Sequence, residues 1–184
     1  MKKLLIKSVF KLLGWKIIGH VPKEIKKAVM VCAPHTSNWD FPLALSIFHY
    51  KGIKLNYFIK KSWLFFPLNI FFKATGAIGI DRSKSHGLVD SIISELKKSE
   101  EMIVAVPAEG TRSWVEKWKT GFYHIAKGAD VPLLLGFIDY QKKELGFGPI
   151  FYLTGDFEKD MNQLQIFFRE KKGKFPEKYN PKIF

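Results

Sequence analysis

The sequence predicts a single α/β domain whose mainly parallel central sheet is flanked by helices. Short apolar runs typical of strands alternate with helical segments along the chain, which is the pattern of βαβ units. The length of 184 residues suits one domain, and a hydrophobic content of 47% is enough to form a core. The sequence contains no internal repeat and no low-complexity segment. Residues 1–184 are therefore expected to form one domain.

The first segment, residues 1–20, predicts a cationic amphipathic helix between Lys2 and Trp15. Its apolar face consists of Leu5, Val9, Leu12 and Leu13. Such a helix can lie on an anionic lipid surface or pack against the domain, and the pattern favours neither. Lys7 and Lys11 interrupt the apolar run and no small-residue cleavage site follows, so no export signal is expected.

The remaining elements follow from apolar runs and their boundaries. Strands are predicted at 28–33, 54–59, 77–80, 102–106, 131–140 and 149–153, and helices at 41–50, 85–99, 121–127 and 160–171. In the second of these helices Leu88, Ile92 and Leu96 share one face. The tail, residues 172–184, is rich in lysine and contains Pro176 and Pro181, which predicts a poorly ordered segment.

Residues 63–72 form the longest apolar candidate, but they are too few for a membrane-spanning helix, which needs about 18 or more residues. Pro67 and Asn69 interrupt the run. Lysines flank it at positions 60, 61 and 73. This arrangement fits a segment that dips into a membrane interface, and it fits a buried core turn equally well.

The charge is strongly positive, with 30 lysines and arginines against 17 acidic residues and a formal net charge of +13. An extended anionic partner is expected, and both nucleic acid and an anionic membrane surface qualify. Only Arg82, Arg112 and Arg169 are arginines. Because arginine binds phosphate and carboxylate in bidentate fashion, Arg82 and Arg112 are candidate oxyanion ligands, although drift in composition explains the scarcity of arginine as well.

The first polar block after a strand contains His35 and Asp40. Five positions separate them, which places them about 140° apart on a helix, so they can meet only across a turn. Pro34 ends the strand and Asp40 starts the next helix, so the carboxylate can orient the imidazole as His35 takes a proton from a hydroxyl. The alternative is that Asp40 or Asn38 only caps the helix.

The second polar block contains Glu109, Gly110, Thr111 and Arg112, directly after a strand. Ligands of open α/β sheets bind at the carboxyl ends of strands. The glycine allows close backbone approach, the threonine offers a hydroxyl, and the arginine can bind a phosphate. A glycine turn with a surface ion pair is the structural alternative.

Several other chemistries lack their sequence signature. There is no Gly-x-Ser-x-Gly, no His-Glu-x-x-His and no Gly-x-x-x-x-Gly-Lys motif. The single cysteine, Cys32, excludes an intramolecular disulfide and a cysteine-cluster metal site, and it fits a reducing cytoplasmic setting. Its place in a strand favours a packing role over a nucleophilic one. No metal site is predicted.

Four blocks in order resemble those of the glycerolphosphate and lysophospholipid acyltransferases of the 1-acylglycerol-3-phosphate acyltransferase type. They are His35-x4-Asp40, the segment 76–82 that ends in Arg82, Glu109-Gly110-Thr111-Arg112, and Val131-Pro132. The resemblance spans residues 29–140. Adjacent positions depart from the family's pattern, with Pro34 where asparagine is common and Ala108 where proline is common.

The resemblance implies a membrane-associated O-acyltransferase that is peripheral on the cytoplasmic face of the cell membrane. His35, oriented by Asp40, would deprotonate an acceptor hydroxyl that attacks an acyl thioester of coenzyme A or acyl-carrier protein. The acceptor would be a lysophospholipid or glycerol phosphate, held by Arg82 and by residues 109–112. No metal or other cofactor and no nucleic acid partner is expected.

Three other functions remain open from the residues. A lipid acyl hydrolase would use the same base but release fatty acid. A basic nucleic-acid-binding domain would explain the charge of +13. A membrane-surface protein without catalytic activity would bind anionic vesicles only.

Overall fold

A seven-stranded sheet with helices on both faces forms the domain in the computed structural model, which describes residues 2–80 and 87–184. The helices are α1 (Lys2–Leu12), α2 (Asp40–Lys51), α3 (Leu68–Ala74), α4 (Leu88–Lys98), α5 (Gly121–Ala129) and α6 (Phe157–Phe168). The strands are β1 (Lys16–Ile18), β2 (Lys27–Cys32), β3 (Leu55–Lys60), β4 (Ala77–Ile80), β5 (Met102–Pro107), β6 (Leu133–Asp139) and β7 (Glu144–Phe151).

The sheet is mainly parallel, as predicted, with the order β1-β7-β6-β2-β5-β3-β4. Only β7 runs antiparallel to its neighbour β6, among the described strands. These two strands form a hairpin, and the buried Asp139 carboxylate stabilises its turn by accepting hydrogen bonds from the Gln141 and Lys142 backbone N–H groups, at 3.1 and 3.0 Å. Because β2, β3 and β5 run parallel to one another, their carboxyl ends lie along one edge of the sheet.

Alternate residues of the central strands supply two core layers. In β2, Val29 and Val31 pack with α4, α5 and α6, whereas Ala28 and Met30 face the layer that holds α1 and α2. This strand is buried on both faces, which explains why its sequence is a continuous apolar run and not an alternating one.

Two elements escaped the sequence prediction, namely β1 and α3. β1 is the outermost strand beside β7 and has only three residues, so it is too short to show an alternation of apolar and polar residues. α3 occupies part of the apolar segment 63–72. The interpretation of that segment as a buried core turn is wrong, because Trp63, Phe66 and Ile70 are 57%, 77% and 62% exposed.

The N-terminal helix α1 packs against the domain, which is one of the two behaviours that the sequence allowed. Phe10 is buried in the core and Ile6 packs against the same layer. The apolar face identified in the sequence is nevertheless exposed, with Leu5 at 66% and Leu12 at 86%. None of the helices within the described ranges is long and apolar enough to cross a membrane.

The C-terminal segment, residues 172–184, packs into the domain, so the prediction of a poorly ordered tail is wrong. Ile183 is fully buried and Tyr179 is 7% exposed. The Trp118 backbone N–H donates to the Ile183 carbonyl at 3.0 Å. The lysine and proline content disfavours regular secondary structure, but a few apolar anchors and backbone hydrogen bonds hold an irregular segment equally well.

Replacing Ile183 by alanine should lower the free energy of unfolding by about 2–5 kcal/mol, because it leaves a cavity where the isoleucine is fully buried. Urea unfolding measures the change. The exposed neighbour Lys182→Ala is the control and should stay within about 0.5 kcal/mol of the original chain. A small effect of Ile183→Ala, similar to that of the control, would mean that the segment is loose in solution.

Candidate active site

His35 and Asp40 meet across the loop that joins β2 to α2, as the sequence predicted. His35 Nδ1 lies 3.1 Å from Asp40 Oδ2. The His35 side chain is 21% exposed and that of Asp40 is 6% exposed. The imidazole therefore reaches the surface while the carboxylate stays behind it.

Both oxygens of the Asp40 carboxylate are held by further donors. The backbone N–H groups of Thr36 and Ser37 each donate to Oδ2 at 3.0 Å, and the Tyr140 hydroxyl donates to Oδ1 at 2.8 Å. The residue at the N-cap of α2 is Trp39, which makes no capping side-chain bond. The alternative that Asp40 or Asn38 only caps the helix is therefore not what the structure shows.

The hydrogen bond to Asp40 decides which imidazole nitrogen is available. A carboxylate only accepts, so the neutral ring carries its proton on Nδ1 and leaves Nε2 as the proton acceptor. Burial, and then the Asp40 carboxylate, raise the pKa of Tyr140, so its hydroxyl stays protonated and continues to donate. Such an arrangement can serve as a general base with an orienting carboxylate.

Glu109 follows the carboxyl end of β5 and lies behind the His35 loop. Its Oε1 accepts the His35 backbone N–H at 2.9 Å, and the residue is 1% exposed. Oε2 is buried without a hydrogen-bond partner in the described part of the chain. Burial raises the pKa of this carboxyl. The sequence placed Glu109 among the substrate-binding residues, but the geometry gives it contact with the backbone of the loop.

The other members of the second block lie at the surface of the same edge. Gly110 has a φ of 69°, a left-handed conformation that favours glycine. Thr111 and Arg112 are exposed. Because β2 and β5 are adjacent and parallel, with Cys32 opposite Pro107, this block and the His35 loop leave the sheet side by side.

The remaining sequence candidates are placed as follows. Arg82 lies outside the described residues. Burial, and then Glu109, raise the pKa of the Cys32 thiol to about 12, which favours a packing role. Within the described ranges no group of three or more His, Cys, Asp and Glu side chains is arranged to hold a metal ion.

Tyr140 is the residue that the sequence did not identify. It follows β6, whose carboxyl end lies beside that of β2, and only this topology brings its hydroxyl to Asp40. The Trp15 ring packs edge-on against the Tyr140 ring, with 5.3 Å between centroids. The Tyr140 backbone N–H donates to the Lys172 carbonyl at 2.8 Å. A tyrosine after a strand carries no sequence signal for such a role.

The acyltransferase family model matches residues 16–134, which include both polar blocks. The chain belongs to the acyltransferase family. It is an enzyme of acyl transfer. His35 and Asp40 lie within the matched region.

A solved structure shares the fold of this acyltransferase. The crystal structure of the 1-acyl-sn-glycerophosphate acyltransferase PlsC from Thermotoga maritima matches with a TM-score of 0.62 and 18% sequence identity. The match covers 91% of this chain and 75% of that one. No curated protein sequence matches the chain.

Glu109→Ala should destabilise the acyltransferase by about 1–3 kcal/mol at neutral pH, because the partly buried His35 N–H loses its acceptor. Glu109→Gln keeps a carbonyl acceptor and should stay within about 1 kcal/mol of the original enzyme. Urea unfolding of both variants tests this. Equal losses in the two variants would show that the charge, and not the acceptor, supports the loop.

The stability of the original enzyme and that of Glu109→Gln should depend differently on pH. The native carboxyl has a raised pKa, so the folded state binds its proton more tightly than the unfolded state, whose value is near 4.5. The stability of the original enzyme should therefore fall relative to that of Glu109→Gln as the pH rises from 4.5 through the native pKa. Parallel pH profiles of the two proteins would contradict a raised pKa.

Proposed function

We propose that this acyltransferase moves an acyl group from an acyl thioester to a hydroxyl of a glycerol phosphate or lysophospholipid. The observation that carries the proposal is the 3.1 Å contact between His35 Nδ1 and Asp40 Oδ2 at the carboxyl edge of a parallel sheet. The likeness of the fold to that of PlsC, a 1-acyl-sn-glycerophosphate acyltransferase, supports a glycerolipid acceptor.

The reaction proceeds by direct transfer. His35 Nε2 takes the proton of the acceptor hydroxyl as its oxygen attacks the thioester carbonyl carbon, giving a tetrahedral oxyanion. Asp40 stabilises the resulting imidazolium through the Nδ1 proton. The carbon–sulfur bond then breaks, and His35 returns the proton to the leaving thiolate. The products are an ester and a free thiol, and the donor is an acyl thioester of coenzyme A or acyl-carrier protein.

The acceptor phosphate binds at the second block. Arg112 offers two parallel N–H groups from an exposed side chain, and Gly110 lets the backbone approach an anion closely. Thr111 adds a hydroxyl, and Arg82 is the further phosphate ligand expected from the sequence. Glu109 contributes by holding the backbone of His35 in place.

The enzyme is proposed to work as a peripheral protein on the inner face of the cell membrane. α1 is anchored to the domain by the buried Phe10 but leaves Leu5 and Leu12 exposed beside its lysines. An anionic lipid surface complements both the apolar face and the net charge of +13.

His35→Ala should lower the turnover of acyl transfer by about 10²–10⁴-fold, because the general base is lost. The assay incubates the enzyme with labelled acyl-coenzyme A and a panel of lysophospholipids and glycerol phosphate. His49→Ala, an exposed histidine of α2, is the matched control and should remain fully active. Near-normal transfer by folded His35→Ala would refute the mechanism, and release of free fatty acid in place of ester would identify a hydrolase.

Arg112→Lys should reduce kcat/KM for a phosphorylated acceptor by about 10–100-fold although the charge is kept, because lysine cannot form the bidentate contact. The loss should be small with a monoacylglycerol acceptor, which has no phosphate. Arg169→Lys changes an exposed arginine outside both blocks and serves as the control. A loss of equal size with both acceptors would show that Arg112 does not bind phosphate.

A further inference from the structure

Six large apolar side chains project into solvent around the site. We call them the rim: Trp39, Trp63, Phe65, Phe66, Trp114 and Phe175, with exposures of 63%, 57%, 56%, 77%, 55% and 39%. Monomeric proteins rarely expose large apolar side chains in such a concentration without a binding partner.

The topology places the rim at one edge of the sheet. Trp39 follows β2, residues 63–66 follow β3, and Trp114 follows β5, and these three strands run parallel. Phe175 reaches the same edge because its backbone N–H donates to Thr36 Oγ1 in the His35 loop, at 3.3 Å. His35 therefore opens at the edge that the rim occupies.

The segment after β3 is held with its aromatic rings outward. Leu64 packs over Gly79, where a Cβ atom would lie 2.5 Å from the leucine Cδ1. The Tyr57 and Thr75 hydroxyls are 2.7 Å apart and tie the end of α3 to β3. These contacts hold the base of the segment on the sheet, while Phe65 and Phe66 remain exposed.

Positive charge accompanies the aromatic rings. Lys174 Nζ lies 5.2 Å from the centre of the Trp39 ring, and Lys178 Nζ lies 4.5 Å from that of Phe175. Further exposed lysines at this edge are Lys60, Lys61, Lys117 and Lys119, whereas the exposed acidic residues nearby in sequence are Glu116 and Glu177. Aromatic side chains among lysines match the boundary between anionic headgroups and acyl chains.

The end of α1 extends this surface. β1 is parallel to β7 and therefore antiparallel to β6, so β1 starts at the edge where β6 ends. Trp15, directly before β1, contacts Tyr140 at this edge. Leu12 and Leu13, 86% and 53% exposed, precede Trp15 in the chain. Leu12 and Leu13 therefore lie close in sequence to a side chain at the site edge.

We propose that the rim docks onto an anionic lipid monolayer, so that the opening of the site at His35 faces the membrane. The enzyme then takes its lipid substrate from the monolayer through the rim, while α1 provides a second attachment. The inference rests on the proposed function, because a lipid substrate is what requires the site to face a monolayer.

The double variant Trp63→Ser/Phe66→Ser tests this docking. Its partition onto phosphatidylcholine vesicles with about 30 mol% phosphatidylglycerol should fall about tenfold or more, measured by vesicle sedimentation. Tyr152→Ser is the matched control, since Tyr152 is 65% exposed after β7 at the opposite edge of the sheet, and it should partition normally. Unchanged partition of the double variant, with its fold confirmed by thermal unfolding, would overturn the proposal.

Tryptophan fluorescence gives a second measurement with the single variants. Brominated phosphatidylcholine in the same vesicles should quench Trp63 and Trp114, so Trp63→Phe should reduce the quenched fraction. Trp118→Phe removes a residue that is 5% exposed, so it should leave the amount of quenched fluorescence unchanged. Equal quenching in Trp63→Phe and the original enzyme would overturn the proposal, as would a dimer in solution that Trp63→Ser/Phe66→Ser dissociates.

Failure of docking and failure of acyl transfer are separable. With a short-chain soluble thioester and glycerol 3-phosphate, in the absence of vesicles, Trp63→Ser/Phe66→Ser should keep its activity, whereas His35→Ala should lose it and still bind vesicles. Normal vesicle binding by the double variant would reject the rim alone. An active His35→Ala would reject the proposed mechanism alone.

Discussion

The Asp40 carboxylate is the group on which the geometry of the site depends. It accepts from the imidazole of His35, from the backbone N–H groups of Thr36 and Ser37, and from the hydroxyl of Tyr140. A buried carboxylate is costly unless its oxygens are hydrogen-bonded, so these four donors are what allow the charge to remain behind the histidine. They also fix the tautomer of the imidazole, which leaves Nε2 as the free acceptor.

The donors come from separate parts of the chain, and this explains the architecture around the site. The loop after β2 supplies the backbone groups, whereas Tyr140 arrives with β6 on the neighbouring strand. Glu109 supports the same loop from β5, on the other side of β2. The central strand thus carries the histidine, and both flanking strands brace it.

The sequence predicts the parts of this structure that depend on local patterns. Apolar runs located β2 to β6, and the separation of His35 from Asp40 predicted the turn that joins them. Tyr140 could not be predicted, because its role depends on which strand lies beside β2 and not on its neighbours in the chain. The prediction for residues 172–184 was wrong for a related reason, since Ile183 becomes an anchor only when the folded core buries it.

The edge-on contact between Trp15 and Tyr140, at 5.3 Å, joins the N-terminal helix to the carboxylate behind the histidine. Trp15, which follows α1 in the chain, packs against the ring whose hydroxyl donates to Asp40. Removing the chain as far as Trp15 would take away an aromatic contact that holds the Tyr140 ring in place beside the carboxylate. In this enzyme the short connection between the peripheral helix and β1 is therefore also a structural support of the His35 and Asp40 pair.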